Sequence, residues 1–216
     1  MWKKLLYLLQ VRRMRPKRDK NLLKIVYKNQ CKNIMEIGTW NGVHTYQMIN
    51  IAKIFHSNND IYYYGFDLFE DFKNEDMEKE FSKRPPSLEI VKRRLEKTGV
   101  NIKLFKGYTQ QTLPKFINDY KDKINLDIIF IDGGHSIETI RSDWNYVKNL
   151  MSQKTIVIFD DYYRNKEDFI INKLGCNHII NSLDPSIYKI EFLKPEDQFK
   201  KEWGTLNINM VKISLL

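Results

Sequence analysis

From residue 33 onward, short apolar runs of four to six residues alternate with stretches in which apolar positions recur at three- and four-residue spacing. The first pattern predicts buried strands over 33–37, 61–66, 102–105, 127–131 and 155–159, and the second predicts helices over 43–55, 87–97, 111–121 and 137–151. Strictly alternating strands and helices imply a parallel sheet with helices on both faces, joined by right-handed crossovers. Residues 188–193 and 206–213 break this rhythm as two apolar runs with no helical pattern between them, and they read as an antiparallel pair at the sheet edge. The expected fold is therefore a doubly wound, Rossmann-like α/β sheet, mostly parallel, with a C-terminal antiparallel hairpin and seven strands. Residues 71–94, rich in Lys, Glu and Asp and containing Pro85-Pro86, insert between the second strand and its helix, either as a substrate-facing flap or as a solvated loop.

At the end of the first strand stands Met35-Glu36-Ile37-Gly38-Thr39-Trp40-Asn41-Gly42. Glycine is required where the backbone must turn sharply or lie against a ligand. Gly38 and Gly42 thus form a candidate cradle at the start of a helix, whose free N–H groups favour a nucleotide-like ligand. The middle glycine of the dinucleotide fingerprint is missing, and the carboxylate of Glu36 would repel a pyrophosphate. A cationic ligand such as S-adenosylmethionine (SAM) suits that charge. Candidate cofactor contacts are Glu36, Gly38, Thr39, Trp40, Asn41, Gly42 and Thr45.

Open parallel sheets bind ligands at the carboxyl ends of their strands. Here each such end carries chemistry. Asp67 ends the second strand, where an acid accepts hydrogen bonds from ribose hydroxyls or caps the next segment. Tyr108 and Thr109 follow the third, where an adenine would lie. Asp132 ends the fourth and Asp160-Asp161 the fifth, on strands expected to be neighbours. Three carboxylates in one cleft repel unless a cation joins them, and Mg²⁺ or another hard divalent ion suits an all-oxygen set. The alternative has Asp132 and Asp161 capping helices. His135 is the candidate general base, or else a residue bonded to backbone or to Asp132; His44 and His178 stay open for the role, and His56 is expected at a surface helix end. Trp144 is expected in the core, and Tyr162 and Tyr163 line a pocket or cover the sheet.

The 216 residues, 42% of them hydrophobic, suffice for one substantial core. Two cysteines, Cys31 and Cys176, are too few for a disulfide framework and fit a reducing cytoplasm. The net charge of +9 is unevenly spread, because residues 1–33 hold 11 of the 36 basic residues and one of the 27 acids. The body is therefore nearly neutral, which argues against nucleic acid as a partner. We divide the chain into a basic helical arm, residues 1–32, and a catalytic domain, residues 33–216. The arm's Trp2, Leu5, Leu6 and Leu9 either pack onto the domain or a second subunit, or rest on an anionic membrane. A cytoplasmic protein, peripheral at the inner membrane surface in the latter case, and a homo-oligomer in the former, are the corresponding expectations.

Ile131-Asp132-Gly133-Gly134-His135-Ser136 followed by Phe159-Asp160-Asp161-Tyr162, with the run from Tyr64 to Phe72 upstream, resembles the class I SAM-dependent methyltransferases, specifically the metal-dependent small-molecule O-methyltransferases of the macrocin O-methyltransferase type. The resemblance runs from about residue 33 to the end. It implies that the acids at Asp132, Asp160 and Asp161 hold Mg²⁺, that the ion chelates a substrate hydroxyl, and that the acceptor is a small molecule, often a sugar. A nicotinamide-dependent oxidoreductase, a metal-dependent hydroxylase-like enzyme and a non-enzymatic membrane- or RNA-binding scaffold are the competing readings.

Overall fold

The computed structural model describes residues 2–80, 82–164, 173–201 and 204–216. In chain order the main elements are α1 (Trp2–Arg13), α2 (Lys20–Asn29), β1 (Asn33–Ile37), α3 (Val43–Ala52), β2 (Tyr62–Asp67), α4 (Asn74–Glu80), α5 (Leu88–Glu96), β3 (Asn101–Lys106), α6 (Thr109–Tyr120), β4 (Ile128–Ile131), α7 (Ile137–Val147), β5 (Ile156–Arg164), α8 (Asn177–Asn181), β6 (Tyr188–Phe192), β7 (Asp197–Lys201) and β8 (Gly204–Leu215). The sheet order is β3-β2-β1-β4-β5-β8-β6, with β7 paired to β8 off that path. β1 to β5 are parallel; β8 joins β5 antiparallel and is itself flanked by β6 and β7.

Strands buried on both faces explain the continuous apolar runs. Ile34, Tyr63, Phe130 and Ile158 face a core shared with α2, α3 and α5. Their sequence neighbours Met35, Tyr64, Ile131 and Phe159 face a second core with α6, α7 and α8, where Trp144 is buried as expected. Period-two alternation thus assigns each side chain to one of two layers.

Two features depart from the sequence reading. Among the described residues the sheet has eight strands, because the polar segment Asp197–Lys201 pairs with β8. β5 continues to Arg164, five residues past the expected end. Within the basic arm α2 packs onto the domain, with Leu22, Leu23 and Val26 fully buried in the first core.

Candidate active site

The strand order reverses between β1 and β4, and the crevice beyond their carboxyl ends holds a cavity of about 790 Å³, a size that suits a cofactor with part of its substrate. Gly38 makes the approach of the two strands possible. It adopts a φ of +91°, and a Cβ there would lie 2.0 Å from the carbonyl oxygen of Asp132. Gly38, Thr39, Trp40, Asn41, Asp67, Tyr108, Thr109 and Asp132 all line the cavity.

Glu36, Gly42 and Thr45, expected at the ligand, do not line it. Glu36 is buried one layer behind, its Oε2 accepting hydrogen bonds from Thr45 Oγ1 at 2.5 Å and Tyr63 Oη at 2.6 Å. Gly42 packs against Leu95 and Val91 of α5. These residues fix the wall, and the surface is formed by their neighbours. Asp67 caps the loop by accepting from Phe69 N at 2.9 Å and Trp40 N at 2.6 Å, and it also lines the cavity. Tyr108 donates to Asp76 of α4 at 3.2 Å, so the inserted segment touches the cavity wall that Tyr108 forms.

Consecutive residues of a regular strand point to opposite faces, which would separate Asp160 from Asp161. A β-bulge prevents this. The register of β5 against β8 shifts between Phe159 and Tyr162, and Asp161 takes a φ of +59°. Both carboxylates consequently line the cavity. The bulge is clamped from behind, with Cys176 N donating to Asp161 O at 3.2 Å and the Asn177 side chain bridging the backbone N and O of Tyr163 at 2.9 Å each.

One oxygen or nitrogen each from Asp132, His135 and Asp161 lie within 4.8 Å of one another, a set that could hold a divalent cation. Asp160 is not part of it. Its two oxygens accept from Arg18 Nε and Nη2, each at 2.7 Å. In this conformation the guanidinium of the segment before α2 satisfies Asp160, which was expected beside Asp132 and Asp161 as a ligand. Burial would raise the Asp160 carboxyl, but Arg18 outweighs it and holds it below the usual range. Asp161 is pushed up to about 6 by burial and by the charge of Asp160. Burial and the same neighbour raise Asp132 well above the ordinary value.

His135 is oriented by the insertion. Its Nδ1 lies 2.7 Å from the backbone oxygen of Glu80, which accepts only from a protonated nitrogen, so Nε2 faces Asp161 Oδ2 at 3.3 Å. The Glu80 carboxylate meanwhile accepts from Ser136 N at 2.8 Å, Ser136 Oγ at 2.9 Å and Thr139 Oγ1 at 2.7 Å, closing the first turn of α7. His44 lines the same cavity, 3.0 Å from Asp19 Oδ2 and 3.6 Å from Asp132 Oδ2. Burial lowers its pKa, yet the bond to Asp19 and the charges of Asp132 and Glu36 prevail and carry it to about 9. His178 is exposed, and His56 bonds Gln30 O at 2.6 Å, away from the cavity.

Sequence reasoning missed Arg18, Asp19, Glu80 and Asp143. The first two were hidden in a charge-rich arm and Glu80 in a charged insertion. Asp143 lies mid-helix in α7, fully buried and lining the cavity, and burial pushes it up to about 7 against the opposing pull of the Thr109 hydroxyl.

The profile of a family described as a methyltransferase domain matches residues 35–162, more than half of the chain. The chain belongs to this family of methyltransferases. Its fold is that of the class I SAM-dependent type. An O-methyltransferase from Bacillus cereus, solved with SAH, shares 16% identity at a TM-score of 0.61, covering 93% of this chain and 82% of that one. The O-methyltransferase TomG from Streptomyces achromogenes, involved in tomaymycin synthesis and solved with SAM, shares 16% at a TM-score of 0.57, covering 91% and 78%. Cofactor-bound Rv0187 from MTB shares 13% at 0.60, covering 100% and 90%. No curated protein sequence matches the methyltransferase. The comparisons do not favour the oxidoreductase, hydroxylase or scaffold readings. Among the described residues, no helix of the methyltransferase is long and apolar enough to cross a membrane.

Proposed function

We propose that the methyltransferase moves the methyl group of SAM to a hydroxyl of a small molecule, with a sugar or glycoside as the acceptor class. The observation that carries this reading is the meeting of Asp132, His135 and Asp161 within 4.8 Å on the wall that also presents the Gly38 loop and Asp67. The cavity suits SAM. Gly38 lines the cavity with backbone, held close to the end of β4, and each Asp67 oxygen accepts one N–H and retains a lone pair for a ribose hydroxyl. Tyr108 and Thr109 offer a flat face and a hydroxyl to an adenine.

When bound, SAM supplies an electrophilic methyl group, whose C–S bond breaks with its electron pair passing to sulfur as the acceptor oxygen bonds to carbon. The protein's task is alignment and proton removal. With Nδ1–H held by the Glu80 carbonyl, His135 Nε2 carries a lone pair that accepts the hydroxyl proton, and Asp161 at 3.3 Å stabilises the imidazolium that results. Asp132 and Asp161, joined by Asp160 once Arg18 moves aside, are the groups that would hold a divalent ion while leaving His135 Nε2 free as the base, and such an ion when bound would lower the hydroxyl's pKa.

Calorimetry with SAM and with NAD, followed by methyl transfer to a panel of glycosides with and without EDTA, tests the reading. SAM binding that weakens at least about tenfold in Asp67→Ala, the loss of roughly one buried charge-assisted contact, is expected. Binding of NAD without SAM would overturn it.

A further inference from the structure

The domain itself, a second subunit and a membrane were the expected partners for the apolar stripe of α1, and among the described residues the stripe is left uncovered. Trp2, Leu5, Leu6 and Leu9 fall at i, i+3, i+4 and i+7, one face of a helix, and all four stand exposed: Trp2 at 73% and Leu5 at 50%. Leu8 adds to them at 49%. The side that packs on the body is a different one, formed by Tyr7 and Val11, with the Tyr7 ring stacked 3.9 Å from that of Tyr27 on α2. Scattered exposed leucines need no explanation, but five large apolar residues on one 12-residue helix do.

Charge selects what covers them. The α1 sequence contains four basic residues and no acid, and the first acid of the chain is Asp19. Arg12 continues the stripe three residues after Leu9 and is exposed, as are Lys4, Lys17, Lys24 and Lys28. A second copy docking through α1 would bring two such clusters together and stack like charges. RNA would find cations but no use for the leucines. An anionic bilayer complements both, taking the apolar stripe below its headgroups and the cations at its surface.

We propose that α1 is a basic interfacial anchor that lays the exposed Trp2–Leu9 stripe into the surface of an anionic membrane. The placement bears on the cavity. Arg15 and Pro16, which line it, begin two residues after the end of α1, so within about 7 Å of chain the anchor meets the cavity wall. The inference stands apart from the assignment of SAM and of the acceptor.

Full-length protein is floated with vesicles of phosphatidylcholine containing 30% phosphatidylglycerol and with vesicles of phosphatidylcholine alone. Binding to the first, at least tenfold weaker to the second and weaker again in high salt, is expected. The double variant Leu5→Glu, Leu8→Glu should lose at least tenfold while melting at the wild-type temperature. Should that variant fail to fold, quenching of wild-type tryptophan fluorescence by brominated lipid reports insertion without any substitution, and no quenching counts against the anchor. Absence of binding to the anionic vesicles, or equal binding by the folded variant, overturns the proposal. So does self-association that the variant abolishes, or RNA binding, in protein that ignores the vesicles.

Discussion

Arg18 and Asp160 meet as a two-pronged pair, both nitrogen-to-oxygen distances 2.7 Å, with the side chains only 13% and 4% exposed. Removing one member of a buried pair strands the other charge. Arg18→Ala is expected to lower unfolding stability by about 3–5 kcal/mol in urea titrations. Arg18→Lys should recover only part of that, because an ammonium cannot reproduce the fork.

The pairing depends on a support at the far end of the chain. Asp197, at the start of β7, accepts from Lys17 N at 2.8 Å and Arg18 N at 3.0 Å. Asp197→Ala should release the segment between α1 and α2. Trypsin cleavage after Lys17 or Arg18 under native conditions is expected to accelerate about tenfold or more, measured by mass spectrometry of the fragments, since local opening sets the rate.

His135→Gln keeps a polar side chain but loses the basic nitrogen. Methyl transfer should fall by about 10²- to 10⁴-fold while SAM affinity, measured by calorimetry, stays within about twofold. Loss of SAM binding instead would place His135 on the cofactor side and refute its role as base.

The bulge that aims Asp160 and Asp161 into one cleft leans on Gly175. That residue has a φ of +82°, and a Cβ there would lie 2.5 Å from the Asp161 carbonyl oxygen. Gly175→Ala should cost about 2–4 kcal/mol in chemical denaturation, from backbone strain and overpacking combined. Residual folded protein should have lost methyl transfer.

Asp143 gives a pH signature. Burial raises its pKa to about 7 from an ordinary value of 3.8, so the folded state prefers the neutral acid. Stability is therefore greatest below pH 4 as far as this group is concerned, and it declines as pH climbs from about 4 to about 7, levelling off above. Across about three units the difference approaches about 4 kcal/mol at most. Asp143→Asn should melt higher than the wild type at pH 8, with the gap closing toward pH 4 in a calorimetric series.

The parallel sheet was legible because its strands are buried on both faces and leave unbroken apolar runs such as Ile128–Ile131. β7 escaped because its sequence, Asp-Gln-Phe-Lys-Lys, bears no apolar alternation; its pairing with β8 is decided by tertiary context. The acids at the strand ends were likewise readable, since topology places every carboxyl end in one crevice. Their sorting was not. Only the bulge turns two successive acids the same way, and only the approach of Arg18, 142 residues away in sequence, divides Asp160 from Asp161. Glu80 was illegible for a similar reason: a carboxylate in a charged insertion carries no sign that it will cap the first turn of α7.

That Asp197 holds the backbone of Lys17 and Arg18 has a consequence for biosynthesis. During translation the early half can form its strands and the glycine cradle, yet the Arg18 guanidinium has its backbone tether only after β7 has left the ribosome. Until then the backbone that carries the guanidinium lacks this clamp to keep it opposite Asp160.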